Sequence, residues 1–225
     1  MSDVNELALL ERLARLDTCA VSDSLDKLGL VGTVPGLAPL SMSAKLCGRV
    51  ITVKLVEAAR VAGTGVTPPH LGARAIEMAE PGDVIVVEQR TGIVAGSWGG
   101  ILSTGAKLRG VAGVISDGLV RDVDEARGLG FPIYARGVTA LTARGRVAEL
   151  ETGGAVQIGD VAVRMGDYVI ADGSAVVFVE AGHIARILDV AEQIAAREAA
   201  MSKALMQGMP ITRVMGADYE EMLKR

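Results

Sequence analysis

Leu9, Leu10, Leu13 and Leu16 recur at the spacing of one helix face, which predicts an amphipathic helix over residues 5 to 16. Asp17 and Thr18 are N-cap residue types, and a second short helix follows them to a stop at Gly29. A loop carrying Pro and Gly then leads to a strand near residues 48 to 57. There Ile51, Val53 and Leu55 alternate with Thr52 and Lys54, the period of a half-exposed sheet. Residues 59 to 69, with Gly63, Gly65, Pro68 and Pro69, read as a surface loop. A helix around 70 to 79 follows, and Pro81-Gly82-Asp83 turns into the apolar strand Val84-Ile85-Val86-Val87.

The middle of the chain reads as helix (99 to 109), buried strand (110 to 115), a turn through Asp117-Gly118, helix (122 to 129) and strand (131 to 135). That is the strand–helix–strand grammar of an α/β fold. Between 155 and 180 the strands become short, and Gly159-Asp160, Gly166-Asp167 and Asp172-Gly173 supply turn chemistry for antiparallel hairpins. Residues 182 to 207 form one long Ala-rich helix, broken at Gly208 and Pro210 before a short terminal helix. No shift in composition marks a linker. One domain over residues 1–225 is expected, with 182–225 as a helical extension.

Composition narrows the function. Half of the 225 residues are apolar, which excludes disorder. A net charge of −4 and only 3% aromatic residues argue against a nucleic-acid footprint or a base-stacking platform. No apolar run approaches the ~18 residues of a membrane span, and the first residues lack a leader pattern, so a cytoplasmic protein is expected. Cys19 and Cys47 lie in apolar surroundings and are expected to be buried free thiols. The 28 glycines exceed average usage without any period, so many tight turns or close backbone approaches are expected.

Few residues offer chemistry. The two histidines, His70 and His183, lack metal-ligand spacing; His183 reads as a cap or surface residue at the start of the long helix. Ala95-Gly96-Ser97-Trp98-Gly99 approximates a nucleophile elbow, with His183 in hydrolase chain order, but the later antiparallel strands do not suit that fold. No dinucleotide or phosphate loop is present, which leaves a methyltransferase without its nucleotide site.

Better placed is Ser116-Asp117-Gly118-Leu119-Val120-Arg121-Asp122, at the carboxyl end of a core strand, where α/β sheets put their sites. Arg121 could fork onto a carboxylate or enolate, and Asp122 could hold a hard cation. Equally, Asp122 could cap the following helix, Arg121 could form a surface ion pair, and Asp124 and Glu125 could simply favour the helix N-terminus. Trp98-Gly99-Gly100 opens a helix, so residues 99 to 102 offer backbone N–H groups to an anion.

Trp98-Gly99-Gly100, Arg109-Gly110-Val111-Ala112-Gly113, Asp117-Gly118, Arg121-Asp122 and Gly130-Phe131-Pro132 together resemble the 4-hydroxy-4-methyl-2-oxoglutarate aldolase family, which also holds the regulators of ribonuclease activity A. The resemblance covers most of residues 20 to 210. It implies a layered β/β/α sandwich of the RraA-like, swivelling-domain type with a C-terminal helical tail. It also implies a homo-oligomer, a trimer or dimer of trimers, with sites at subunit contacts. The implied activity is that of a divalent-metal-dependent lyase on small 2-oxo acids: retro-aldol cleavage of a 4-hydroxy-2-oxo dicarboxylate to pyruvate, or decarboxylation of oxaloacetate. By motif position, Asp122 would carry Mg²⁺ or Mn²⁺. Arg121 would stabilise the pyruvate enolate, and the backbone of Gly99, Gly100, Ile101 and Leu102 would bind the substrate carboxylate. The aldolase signature is an Asp, twenty residues, then Arg-Asp; here Gly100 stands at the first position. The family's other branch implies a non-enzymatic ring that binds a protein partner such as a ribonuclease.

Overall fold

In the computed structural model, which describes residues 3–62 and 70–216, the chain opens with helices α1 (Asp3–Arg15) and α2 (Thr18–Leu28). The expected caps are in place. The Asp17 carboxylate accepts the Ala20 N–H at 2.8 Å, and Gly29 closes α2 in the left-handed region at φ 67°. Short strands β1 (Thr33–Val34) and β2 (Ala38–Pro39) lead to the twelve-residue β3 (Leu46–Glu57). One turn of helix, α3 (Ala58–Val61), follows directly. The loop expectation is therefore corrected for residues 59–61, which hold helix formers and no Gly or Pro; residues 63–69 of that expected loop lie outside the described residues.

The middle of the chain alternates as α4 (Ala73–Met78), β4 (Val84–Gln89), α5 (Gly100–Leu108), β5 (Gly113–Val120), α6 (Val123–Gly128) and β6 (Ile133–Val138). Then come β7 (Val147–Thr152), β8 (Val156–Ile158), β9 (Val161–Val163), β10 (Tyr168–Ala171) and β11 (Val176–Val179). The long α7 (Ile184–Met206) and the single turn α8 (Ile211–Val214) end the described chain.

The main sheet runs β1-β11-β10-β3-β4-β5-β6-β2, with β7 also on β3. Strands β3, β4, β5 and β6 are parallel neighbours; the strands flanking them are antiparallel. Strand β3 joins the two regimes. It pairs with β10 through Leu46–Arg49 and with β4 from Val50 onward.

Alternation then sorts side chains into layers. Ile51, Val53, Leu55, Ile85 and Val114 pack under α4, α5 and α6. Val50, Val84, Val86, Ile115 and Tyr134 face the β8–β9 hairpin on the other side. Thr52 is fully buried, its hydroxyl donating to the Gly154 carbonyl at 2.6 Å, so β3 is covered on both faces rather than half exposed. A third cluster seats α1, α2 and the first half of α7 on β10 and β11. The result is the layered β/β/α sandwich with a C-terminal helix.

Two expectations fail. Asp117-Gly118 is not a turn: β5 continues to Val120, and its register on β6 shifts between Ser116 and Leu119 as a bulge. The cause is tertiary. One Asp117 carboxylate oxygen accepts Arg136 Nε at 2.7 Å and the other accepts the Gly159 N–H at 2.9 Å, tying β5 to β6 and to the β8–β9 turn. A Cβ on Gly118 would meet Gln89 Oε1 at 2.3 Å, so glycine is required by space. Asp117 therefore turns away from Arg121 and Asp122. Cys19 is also exposed rather than buried, because α2 buries Thr18, Ala20, Val21, Ser24 and Leu25 on the other side. Cys47 is half-buried, and burial pushes its thiol up to about 11. Among the described residues, no helix is long and apolar enough to cross a membrane.

Breaking the buried Asp117 pair strands Arg136 and the Gly159 N–H. Asp117→Ala is expected to lower the unfolding free energy by about 2–4 kcal/mol in urea titrations.

Candidate functional site

The carboxyl ends of the four parallel strands open into one cavity of about 950 Å³. Its wall is formed by α3 after β3, residues 96–102 after β4, Arg121 and Asp122 after β5, and residues 142–145 after β6.

Backbone pairing joins two of these segments. Gly96 and Leu119 form a parallel bridge, the Ser97 N–H donates to the Leu119 carbonyl at 2.8 Å, and the Arg121 N–H donates to the Trp98 carbonyl at 2.9 Å. Trp98 is the anchor. Its indole is buried, and Nε1 donates to Ser103 Oγ at 3.0 Å, which in turn donates to the Gly99 carbonyl at 3.0 Å.

Glycine makes room for the charged pair. A Cβ on Gly96 would stand 3.0 Å from Arg121 Cδ, and one on Gly99 would stand 2.9 Å from Asp122 Oδ2. Gly99 is extended, at φ −152°, so its requirement is close approach and not a special backbone conformation.

Asp122 is the sole non-glycine with positive φ among the described residues, at φ 58° and ψ 35°. Such a residue costs on the order of 1–3 kcal/mol and persists where its surroundings hold it. It makes no side-chain cap bond to its own helix, α6. Instead Oδ2 accepts the Gly100 N–H at 3.0 Å, and Arg121 Nε donates to both carboxylate oxygens at 3.2 and 3.3 Å. The expected capping of the following helix is therefore not made: the Asp122 carboxylate instead accepts from the first residue of α5. The Gly100 N–H expected to be open to a ligand is correspondingly taken. Ile101 and Leu102, in the first turn of α5, keep N–H groups without an acceptor inside the helix.

The other candidates separate. Ser97 is buried, its hydroxyl 2.6 Å from Ser116 Oγ and 2.8 Å from the Leu119 carbonyl; it has no histidine partner and no elbow role. His183 stands at the start of α7 without a side-chain cap bond, 3.9 Å from Glu180. His70 does line the cavity. Sequence reasoning missed Arg144, which lines the cavity from the loop after β6 and whose guanidinium has no partner among the described residues. It also missed Glu149, buried behind this wall, which accepts the Gly72 N–H at 2.8 Å. Among the described residues, no three His, Cys, Asp or Glu side chains share one point.

Comparison with known proteins gives this geometry a context. The family model described as Aldolase/RraA matches residues 18–178. The chain belongs to the RraA-like family. A protein of Halalkalibacterium halodurans named "Putative 4-hydroxy-4-methyl-2-oxoglutarate aldolase" is 26% identical to it over 209 residues, covering 92% of this chain and 93% of that one. Protein DlpA of Legionella pneumophila is 25% identical over 89% of this chain, which spans only 32% of the length of DlpA. Among solved structures, Streptomyces coelicolor RraAS2, titled an unusual member of the RNase ES inhibitor RraA protein family, superposes with a TM-score of 0.73. That match has 26% identity and covers 85% of this chain and 94% of that one. RraA-like proteins thus include both aldolase-named and inhibitor-named members, and the site must distinguish them.

Asn tolerates the left-handed region and keeps an acceptor for the Gly100 N–H. Asp122→Asn in this RraA-like chain is therefore expected to shift Tm by no more than about 3 °C in calorimetry, despite the position's strain.

Proposed function

We propose that this protein is a carbon–carbon lyase for a small 2-oxo acid, using Mg²⁺ or Mn²⁺. The observation that carries the reading is Asp122, held in a strained conformation beside Arg121 and against the glycine entry of α5. A plain helix cap would need neither the strain nor the guanidinium.

The residues fit a hard, largely hydrated cation. Asp122 is a single carboxylate with unused lone pairs and a side chain 30% exposed, and no three-ligand cluster accompanies it among the described residues. Such a donor set suits Mg²⁺ or Mn²⁺ with several waters and does not suit a closed zinc site. When bound, the cation would polarise the 2-oxo group as a Lewis acid.

The remaining work falls to this chain. The Ile101 and Leu102 N–H groups, at the positive end of α5, bind the carboxylate next to the 2-oxo carbon. The Nη groups of Arg121, unengaged among the described residues, hold the enolate oxygen. Arg144 at the far wall recognises a second carboxylate. In decarboxylation the C3–C4 bond of oxaloacetate breaks, its electrons move into the enolate, CO₂ leaves, and C3 takes a proton to give pyruvate. In retro-aldol cleavage the 4-hydroxyl loses its proton as the same bond breaks, giving pyruvate enolate and a second oxo acid.

A second reading, a homo-oligomeric ring that regulates a ribonuclease-type partner, draws support from Ile101 and Leu108. Each is 85% exposed on α5, Ile101 where the helix lines the cavity and Leu108 at its other end. The likeness to the inhibitor-named RraAS2 points the same way. That reading needs no cation and no turnover.

The deciding experiment supplies purified protein with Mn²⁺ and oxaloacetate and follows pyruvate by a coupled dehydrogenase. Metal-dependent release is expected, with kcat/KM reduced about 100-fold or more in Asp122→Asn and in Arg121→Lys. Arg144→Ala is expected to raise KM about 10-fold with little change in kcat. No release above the uncatalysed rate with oxaloacetate or a panel of 4-hydroxy-2-oxo acids would leave the regulator reading standing.

A further inference from the structure

The reaction proposed above needs a proton delivered to C3 of the pyruvate enolate, and the residues assigned to it so far cannot supply one. Arg121 and Arg144 stay protonated, and Asp122 is committed to the cation. The Ser97 hydroxyl is closed into its contacts with Ser116 and the Leu119 carbonyl, and Thr142 Oγ1 accepts the Arg144 N–H at 3.3 Å. Among the described residues that line the cavity, His70 is the remaining titratable side chain. It is exposed, and its imidazole has no hydrogen-bond or ion-pair partner among the described residues.

A buried carboxylate fixes the segment that carries it. Glu149, on β7, is 4% exposed; one oxygen accepts the Gly72 N–H at 2.8 Å and the other accepts the Thr152 hydroxyl at 2.7 Å. No cation pairs with it among the described residues, so hydrogen bonds alone offset the cost of burying its charge. The His70 carbonyl accepts the Ala73 N–H at 3.0 Å, which closes a turn with Gly72 in the left-handed region at φ 71°. A Cβ on Gly72 would stand 2.7 Å from Trp98 Cζ3, so the turn packs directly on the indole. The Trp98 carbonyl in turn accepts the Arg121 N–H at 2.9 Å. The His70 turn and the Arg121-Asp122 pair are therefore both seated on Trp98 and both open into one cavity.

We infer that His70 is the proton carrier of this site; this rests on the lyase reading above. In decarboxylation the C3–C4 electron pair enters the enolate as CO₂ leaves. The His70 imidazolium then gives its proton to C3, the enolate electrons form the new C–H bond, and solvent reprotonates the neutral imidazole. In retro-aldol cleavage the neutral imidazole takes the 4-hydroxyl proton as the C–C bond breaks and returns it to C3, so His70 ends as it began. An imidazole suits both directions near neutral pH.

The test uses the full untagged chain with Mg²⁺ and pyruvate in D₂O, following loss of the methyl signal by proton NMR, beside oxaloacetate decarboxylation. Wild-type protein is expected to exchange the methyl protons, and His70→Gln to exchange them about 100-fold more slowly or worse. Loss of CO₂ needs no base and water can protonate the enolate, so decarboxylation by His70→Gln is expected to stay within about 5-fold of wild type. His70 is exposed, so the variant is expected to melt as wild type does. A readout without turnover uses His183→Gln, which leaves one of the two imidazoles; its NMR signal is expected to shift when pyruvate is added. Exchange at the wild-type rate in His70→Gln, or an imidazole signal unmoved by pyruvate, overturns the role of His70 and leaves the lyase reading intact. Wild-type protein that decarboxylates oxaloacetate without exchanging pyruvate protons does the same. Equal falls in exchange and decarboxylation make His70 a packing residue and overturn its proton role. Wild-type protein that neither exchanges nor decarboxylates overturns the lyase reading itself.

Discussion

The site depends on a short stretch of backbone pairing. Residues 96–98 follow β4 and residues 119–121 end β5, and the bridge between Gly96 and Leu119 fixes one against the other. Without it, the entry of α5 and the Arg121-Asp122 pair would belong to two independent crossover loops. With it, they share one frame whose rigid part is the parallel sheet, the usual device by which a loop site gains precision. The buried contacts around the bridge serve the same end. Ser97 and Ser116 satisfy each other's hydroxyls, and Trp98 locks the loop to Ser103 on the first turn of α5. The glycines at 96 and 99 follow from that frame, since the Arg121 stem and the Asp122 carboxylate occupy the space their side chains would need.

The frame also explains how a strained residue survives. Asp122 leaves β5 in the left-handed region, a conformation that a helix N-cap does not ordinarily use. What holds it is the Gly100 N–H on one side and Arg121 Nε on the other, both positioned by the bridge. Strain maintained by surrounding bonds at the mouth of a cavity is the pattern of a functional residue more than of a structural one. Side-chain exposures of 36% for Arg121 and 30% for Asp122 keep the pair in contact with water, which suits a hydrated ion and a small charged acid.

Backbone grammar was readable from sequence, and tertiary partnership was not. The glycine-led entry of α5 and the Arg-Asp pair at the end of a core strand are local patterns, and the structure brings them together on one cavity wall. Asp117-Gly118 misled for the same reason. Asp-Gly is turn chemistry by local propensity, yet Arg136 and Gly159 lie 19 and 42 residues away and pull the carboxylate into the sheet. Glu125 in a first helical turn reads as a dipole-friendly charge, and only folding shows that its neighbour is Gly100. Arg144 sits on a loop without periodicity, so no pattern could mark it. Cys19 was assigned by the character of its neighbours, whereas its exposure follows from which side of α2 meets the core.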